Sequence, residues 1–174
     1  MKKTLMIVAL LVGLNLEANM VEDGITASKS GNHKKALELF EKACENDNAM
    51  GCNYAAQAYN VGRVVQRDLD KAVVLFTKSC DKGLMDACMV LGRNYYIGQG
   101  VKKDIVKARE LLVHACDGGI SDACFKSGLI YELGQGVAQD LTKAKSFYKK
   151  SCELGESDND ACKFHKQLTH AGVK

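Results

Sequence analysis

Eight cysteines, four histidines and eight serines are the residues of this chain whose types could support metal, redox or nucleophilic chemistry. Cys44, Cys80, Cys116 and Cys152 recur every 36 residues, and Cys52, Cys88 and Cys124 follow the first three at a constant Cys-x7-Cys spacing. The last pair, Cys152 and Cys162, is ten apart. Structural zinc sites draw on cysteines two to four residues apart, so this spacing favours disulfides. An even cysteine count in an exported chain points the same way. His33, His114, His165 and His170 form no His-x-x-x-His or His-Glu-x-x-His pair, so no metal site is expected. No phosphate-binding or dinucleotide loop occurs either, and no cofactor is expected. Ser-x-x-Lys occurs twice, at Ser79 with Lys82 and Ser146 with Lys149, which sets an amine one helical turn from a hydroxyl it could deprotonate. With lysine at about one position in nine, roughly one such match arises by chance.

The elements that position these residues repeat with the cysteines. Tyr59, Tyr95 and Tyr131 keep the 36-residue register, as do Gly62, Gly98 and Gly134; Val65, Val101 and Val137; and Asp68, Asp104 and Asp140. Lys71-Ala72, Lys107-Ala108 and Lys143-Ala144 follow them. A fixed period of this length is the signature of a stacked array. In the middle copy, Leu91 and Tyr95 lie four apart on one face of a helix predicted from about Asp86 to Ile97. It stops at Gly98-Gln99-Gly100, where glycine supplies the left-handed backbone of a helix end. Asp104 then caps a second helix carrying Ala108, Leu111, Leu112 and Ala115, which ends near Gly118-Gly119. Ala56, Gly92 and Gly128 share one mid-helix position, and close helix packing there would offset the poor helix propensity of glycine.

The chain opens with Met1, Lys2 and Lys3 and an apolar run from Leu5 to Leu14, about half the length a bilayer span needs. This pattern reads as a secretory signal over residues 1–18, cleaved after Ala18, with a secreted or periplasmic destination and no membrane span thereafter. The net charge of +3 is spread without a basic block, and no nucleic-acid partner is expected. The absence of proline and the wealth of Ala, Leu, Lys and Glu favour an all-α class. The expected divisions are a shortened helix pair at 19–47, repeats at 48–83, 84–119 and 120–155, and a capping helix with tail at 156–174. An insertion falls at Glu156-Ser157-Asp158-Asn159-Asp160.

The pattern Leu91-Gly92-x-x-Tyr95-x-x-Gly98-x-Gly100-Val101-x-x-Asp104-x-x-Lys107-Ala108 resembles the Sel-one-like repeat, a longer relative of the tetratricopeptide repeat. With its regular cysteines the chain as a whole resembles the Helicobacter cysteine-rich protein family. That resemblance implies a right-handed α/α solenoid of helix pairs. Each cysteine pair then brackets the turn between one copy and the next, which pairs Cys44 with Cys52, Cys80 with Cys88, Cys116 with Cys124 and Cys152 with Cys162, one of 105 connectivities.

The family resemblance also implies β-lactam binding or hydrolysis. Serine enzymes of that kind combine Ser-x-x-Lys with Ser-Asp-Asn and Lys-Thr-Gly. Ser157-Asp158-Asn159 is present, but Lys-Thr-Gly is not, and Ser79 sits where other copies have Ala43, Ala115 and Ser151, a small-residue packing position. No catalytic residue is assigned. In arrays of this type the first helix of each pair lines the concave side. Carrying that geometry over places Asn53, Gln57 and Asn60, then Met89, Arg93 and Tyr96, then Phe125, Leu129 and Glu132 on a groove. These positions change in character from copy to copy, unlike Leu91 or Tyr95. The reading is of a monomeric module binding a peptide or protein segment of cell-wall or host origin. An inert spacer and a β-lactam hydrolase are the alternatives.

Overall fold

A computed structural model describes residues 19–155 and 160–174. The expected signal segment and the Ser157-Asp158-Asn159 motif lie outside the described residues. Residues 19–29 are helical (α1). There follow α2 (His33–Glu45), α3 (Ala49–Val61), α4 (Leu69–Asp81), α5 (Met85–Ile97), α6 (Ile105–Asp117), α7 (Ser121–Leu133), α8 (Leu141–Leu154) and α9 (Asp160–His170). No strand occurs among the described residues. Six consecutive helices, α2 to α7, are each 13 residues long, so the period of the sequence is a period of structure. The architecture is that of a right-handed α/α solenoid.

The described residues divide into two compact units, one ending at Leu84 and the other beginning at Met85. In the first, α2 packs on α3 and α3 on α4. Its core is Ala27, Ala36, Leu37, Phe40 and Ala55. In the second, α5 packs on α6, α6 on α7, α7 on α8 and α8 on α9, burying Leu91, Leu112, Ile130 and Tyr148.

The repeated polar residues hold the long connection inside each copy. Asp68, Asp104 and Asp140 accept from the backbone N–H three residues on, at 2.9, 3.0 and 2.8 Å, and so cap α4, α6 and α8. Each capping residue also donates its own N–H back to the carbonyl of Tyr59, Tyr95 or Tyr131, at 3.1, 2.9 and 2.9 Å. Over those rings lie the repeated lysines: Lys71 at 4.0 Å from the Tyr59 centroid, Lys107 at 4.5 Å from Tyr95 and Lys143 at 5.4 Å from Tyr131. Tyr95, which shares a helix face with Leu91, is only half-buried, whereas Leu91 is buried. The conserved spacing of tyrosine and lysine within the chain reflects a surface clamp on the loop.

The shared small-residue position does mark a close approach. A Cβ on Gly128 would stand 2.5 Å from the Tyr148 ring, and one on Gly92 would stand 3.0 Å from Leu112. Disulfides join Cys44 to Cys52, Cys116 to Cys124 and Cys152 to Cys162, with Cα separations of 4.4, 4.5 and 4.8 Å. Cys80 and Cys88 are also disulfide-bonded. Two cysteines eight residues apart meet because they face each other across a tight turn between antiparallel helices.

Candidate functional site

Three of the residues assigned to the groove converge in the second unit. Arg93 and Tyr96, three apart on α5, line a cavity of about 170 Å³ with Leu129 of α7. Leu112, Ile130 and Lys126 complete it. Leu112 and Ile130 are buried and make its wall apolar. An apolar cavity of about 150 Å³ holds a benzene-sized guest, so this one suits a single aliphatic or small aromatic side chain.

The charged and polar groups around it differ in how they are engaged. Lys126 pairs with Asp122 one turn earlier on α7. Tyr96 donates its hydroxyl hydrogen to Gln135 Oε1 at 2.5 Å. The Arg93 side chain is exposed and has neither a hydrogen bond nor an ion pair in the described residues.

The other assigned residues lie in different settings. In the first unit Gln57 is exposed and borders a larger cavity, about 350 Å³, together with Leu37, Phe40, Tyr54, Val61 and Arg63. Phe40 and Tyr54 stack there at 4.8 Å. Asn60 offers its backbone carbonyl to Arg67 Nε at 3.0 Å. Asn53, placed by the repeat on an open face, is 8 % exposed, and its Oδ1 accepts no hydrogen bond. Met89 is half-buried. Phe125 packs with Tyr148 and Phe164, centroids 5.6 and 5.8 Å away. Glu132 accepts a hydrogen bond from the Tyr148 hydroxyl. Burial pushes the Tyr148 phenol far above its ordinary pKa, and the Glu132 carboxylate adds to that shift.

Leu112, Lys126 and Ile130 were not assigned from the sequence, because the groove positions were carried over from first helices at three places per copy. One further signal was available. Val61, Ile97 and Leu133 occupy equivalent positions one turn after Gln57, Arg93 and Leu129, and they are 54, 53 and 60 % exposed. Apolar residues repeated at an exposed position are not needed by the core.

The candidate nucleophiles are engaged otherwise. Ser79 is fully buried and donates to the Ala49 carbonyl at 2.8 Å, while Lys82 pairs with Asp47 at 3.0 Å. Ser146 is exposed, with Lys149 3.7 Å from Glu153. Neither pair has its lysine on the serine. Among the described residues no cluster of three potential metal ligands occurs, and no helix is long and apolar enough to cross a membrane.

A family model described as Sel1 repeat matches residues 13–48, 49–84, 86–120 and 121–156. No curated protein matches the chain. Among solved structures, it is similar to c5321, a protective antigen of uropathogenic Escherichia coli with an SLR fold, at 29 % identity and a TM-score of 0.81. That match covers 90 % of this chain and 35 % of the antigen. A Sel1 repeat protein from Oxalobacter formigenes matches at 27 % identity and a TM-score of 0.79, covering 90 % of this chain and 64 % of that one. Helicobacter pylori cysteine rich protein B matches at 28 % identity and a TM-score of 0.56, covering 67 % of this chain and 92 % of that one. The chain thus spans about a third of the first of these proteins and under two thirds of the second.

Proposed function

This chain belongs to the Sel1 repeat family, whose repeats mediate protein interactions, and on that premise we propose that it is an exported binding module that holds a peptide or protein segment on its first-helix face. The observation that carries the reading is the meeting of Arg93, Tyr96 and Leu129 around one apolar cavity. Scaffold positions such as Leu91 and Ala108 are buried and serve packing; these three leave a side-chain-sized space open to a partner. Burial of one anchoring side chain in such a pocket is how compact interfaces concentrate their affinity.

Export is supported by the absence of free cysteine, since intrachain disulfides persist in oxidising compartments. The likeness to the Helicobacter pylori cysteine rich protein supports the same reading. The test is capture of partners from periplasmic and extracellular fluid by the wild-type chain and by Arg93→Ala, Tyr96→Ala, Leu129→Ala combined. Loss of capture with unchanged helicity is expected. Equal capture by the triple variant refutes the reading, as does cytoplasmic retention of the protein for its export part.

A further inference from the structure

We infer that the α5–α7 cavity recognises an acidic–apolar peptide segment, in which an aliphatic side chain fills the cavity and a neighbouring glutamate or aspartate side chain pairs with Arg93. The inference rests on the proposed binding face and adds the chemistry of what is bound.

The first observation is shape. Leu112, Leu129 and Ile130 surround a space of about 170 Å³, which fits one leucine-sized side chain and is too small for an extended apolar segment. The second is charge. Of the cations of the second unit, Lys126 pairs with Asp122, Lys143 with Asp140 at 3.4 Å and Lys150 with Asp117 at 2.8 Å, while Lys145 donates to the Val173 carbonyl. Arg93 has no acidic partner among the described residues and borders an apolar cavity, where a charge–charge contact is less screened than in open water. Guanidinium presents parallel donors suited to a carboxylate. With Lys126 already paired, Arg93 is the lining cation left for a ligand carboxylate, and Lys103, 5.9 Å over the ring of Tyr96, adds positive charge beside it. The exposed Ile97 and Leu133 lie one turn beyond Arg93 and Leu129, and extend the apolar surface on both helices.

The probes are fluorescein-labelled peptides, N-acetylated and C-amidated, that carry Leu-Glu or Leu-Ala-Glu within Gly-Ser flanks. Matched probes replace Leu by Ala or Glu by Gln, and one further set carries Gln with a free C-terminal carboxylate. Fluorescence anisotropy is measured with the disulfide-bonded chain, with Arg93→Gln and with Leu129→Trp, which fills the cavity from a half-buried position. Expected is saturable binding of at least one Leu/Glu probe, weakened about tenfold by each ligand change and by Arg93→Gln, and abolished by Leu129→Trp. Thermal melts confirm that both variants fold, and a variant that does not melt cooperatively is replaced by Arg93→Met, which also removes the charge, or Leu129→Phe. Absence of saturation for every Leu/Glu probe up to about 1 mM overturns the inference. So does equal binding of Glu and Gln probes, insensitivity to Arg93→Gln, or rescue of the Gln probe by a free terminus. If these peptides fail while the triple variant still loses partner capture, the face stands and its assigned chemistry falls.

Discussion

The hydroxyl of Tyr148, a fully buried residue of α8, donates to the carboxylate of Glu132 on α7. A charge placed by the repeat pattern on the binding face is thereby held by the packing layer below it. Tyr148→Phe removes the donor and should lower stability by about 1.5–3 kcal/mol, the range for hydrogen bonds to charged groups. Thermal melting checks this. Because the folded-state pKa of Tyr148 is raised above its ordinary value of 10.0, its contribution is present below that pH and is lost as pH rises beyond it. The wild type should therefore lose more stability above pH 10 than Tyr148→Phe does.

Glu41 behaves in the opposite sense. Burial pushes its carboxyl up, but hydrogen bonds from Tyr59 and Lys71, at 2.7 and 2.9 Å, outweigh burial and hold it below its ordinary 4.5. A depressed folded-state pKa stabilises above the unfolded value, and that stabilisation is lost as pH falls through the depressed one. Melts from pH 6 to pH 2 should show stability falling below about pH 4.5, with a shallower fall for Glu41→Gln. Identical acid profiles would contradict this.

Packing positions should separate from loop clamps. Leu91→Ala leaves a buried cavity and should cost about 2–5 kcal/mol. Tyr95→Ala, half-buried beneath Lys107, should cost only about 1–2 kcal/mol. Gly128→Ala drives a methyl into the Tyr148 ring and should cost about 1–3 kcal/mol despite better helix propensity. Denaturant unfolding of the three variants measures the order.

The array itself was legible because one period runs through cysteine, tyrosine, glycine, aspartate and lysine, each with a local task such as the Asp104 cap or the Gly98 helix end. Side-chain burial was less legible. Asn53, Met89 and Phe125 share one repeat position, yet Asn53 is buried and Phe125 is held by Phe164, which belongs to a helix outside the repeat pattern. A residue's place in the repeat fixes where its backbone sits; its surroundings depend on neighbours that are free to vary. Leu112 escaped notice as a cavity wall for the same reason, since it reads as core and serves both roles.

Serine chemistry is expected to be absent from Ser79. Its hydroxyl bridges α4 to the Ala49 carbonyl, so Ser79→Ala should lower stability by about 0.5–1.5 kcal/mol for the hydrogen bond lost. In a nitrocefin assay, hydrolysis by the purified chain should be unchanged by Ser79→Ala or Ser146→Ala. A rate above background that either substitution removes would assign the nucleophile and overturn this account of Ser79.

The staples carry a sharper expectation. Non-reduced digests should give four local bridges, including Cys80 with Cys88, and no free thiol. In the chain-entropy model a nine-residue loop contributes about 2.6 kcal/mol, so reduction should lower the melting temperature substantially. An unchanged melting curve would contradict that role.

The central claim, that partners dock on the α5–α7 face, is tested most directly by site-specific photocrosslinking. A photoreactive residue is placed at Ile97 or Leu133, exposed residues one turn beyond the cavity-lining Arg93 and Leu129, and in a separate chain at Val106, an exposed residue of α6 that does not line the cavity. The account predicts one partner adduct shared by the Ile97 and Leu133 positions and none from Val106. An adduct at Val106 with none at Ile97 or Leu133 would contradict it.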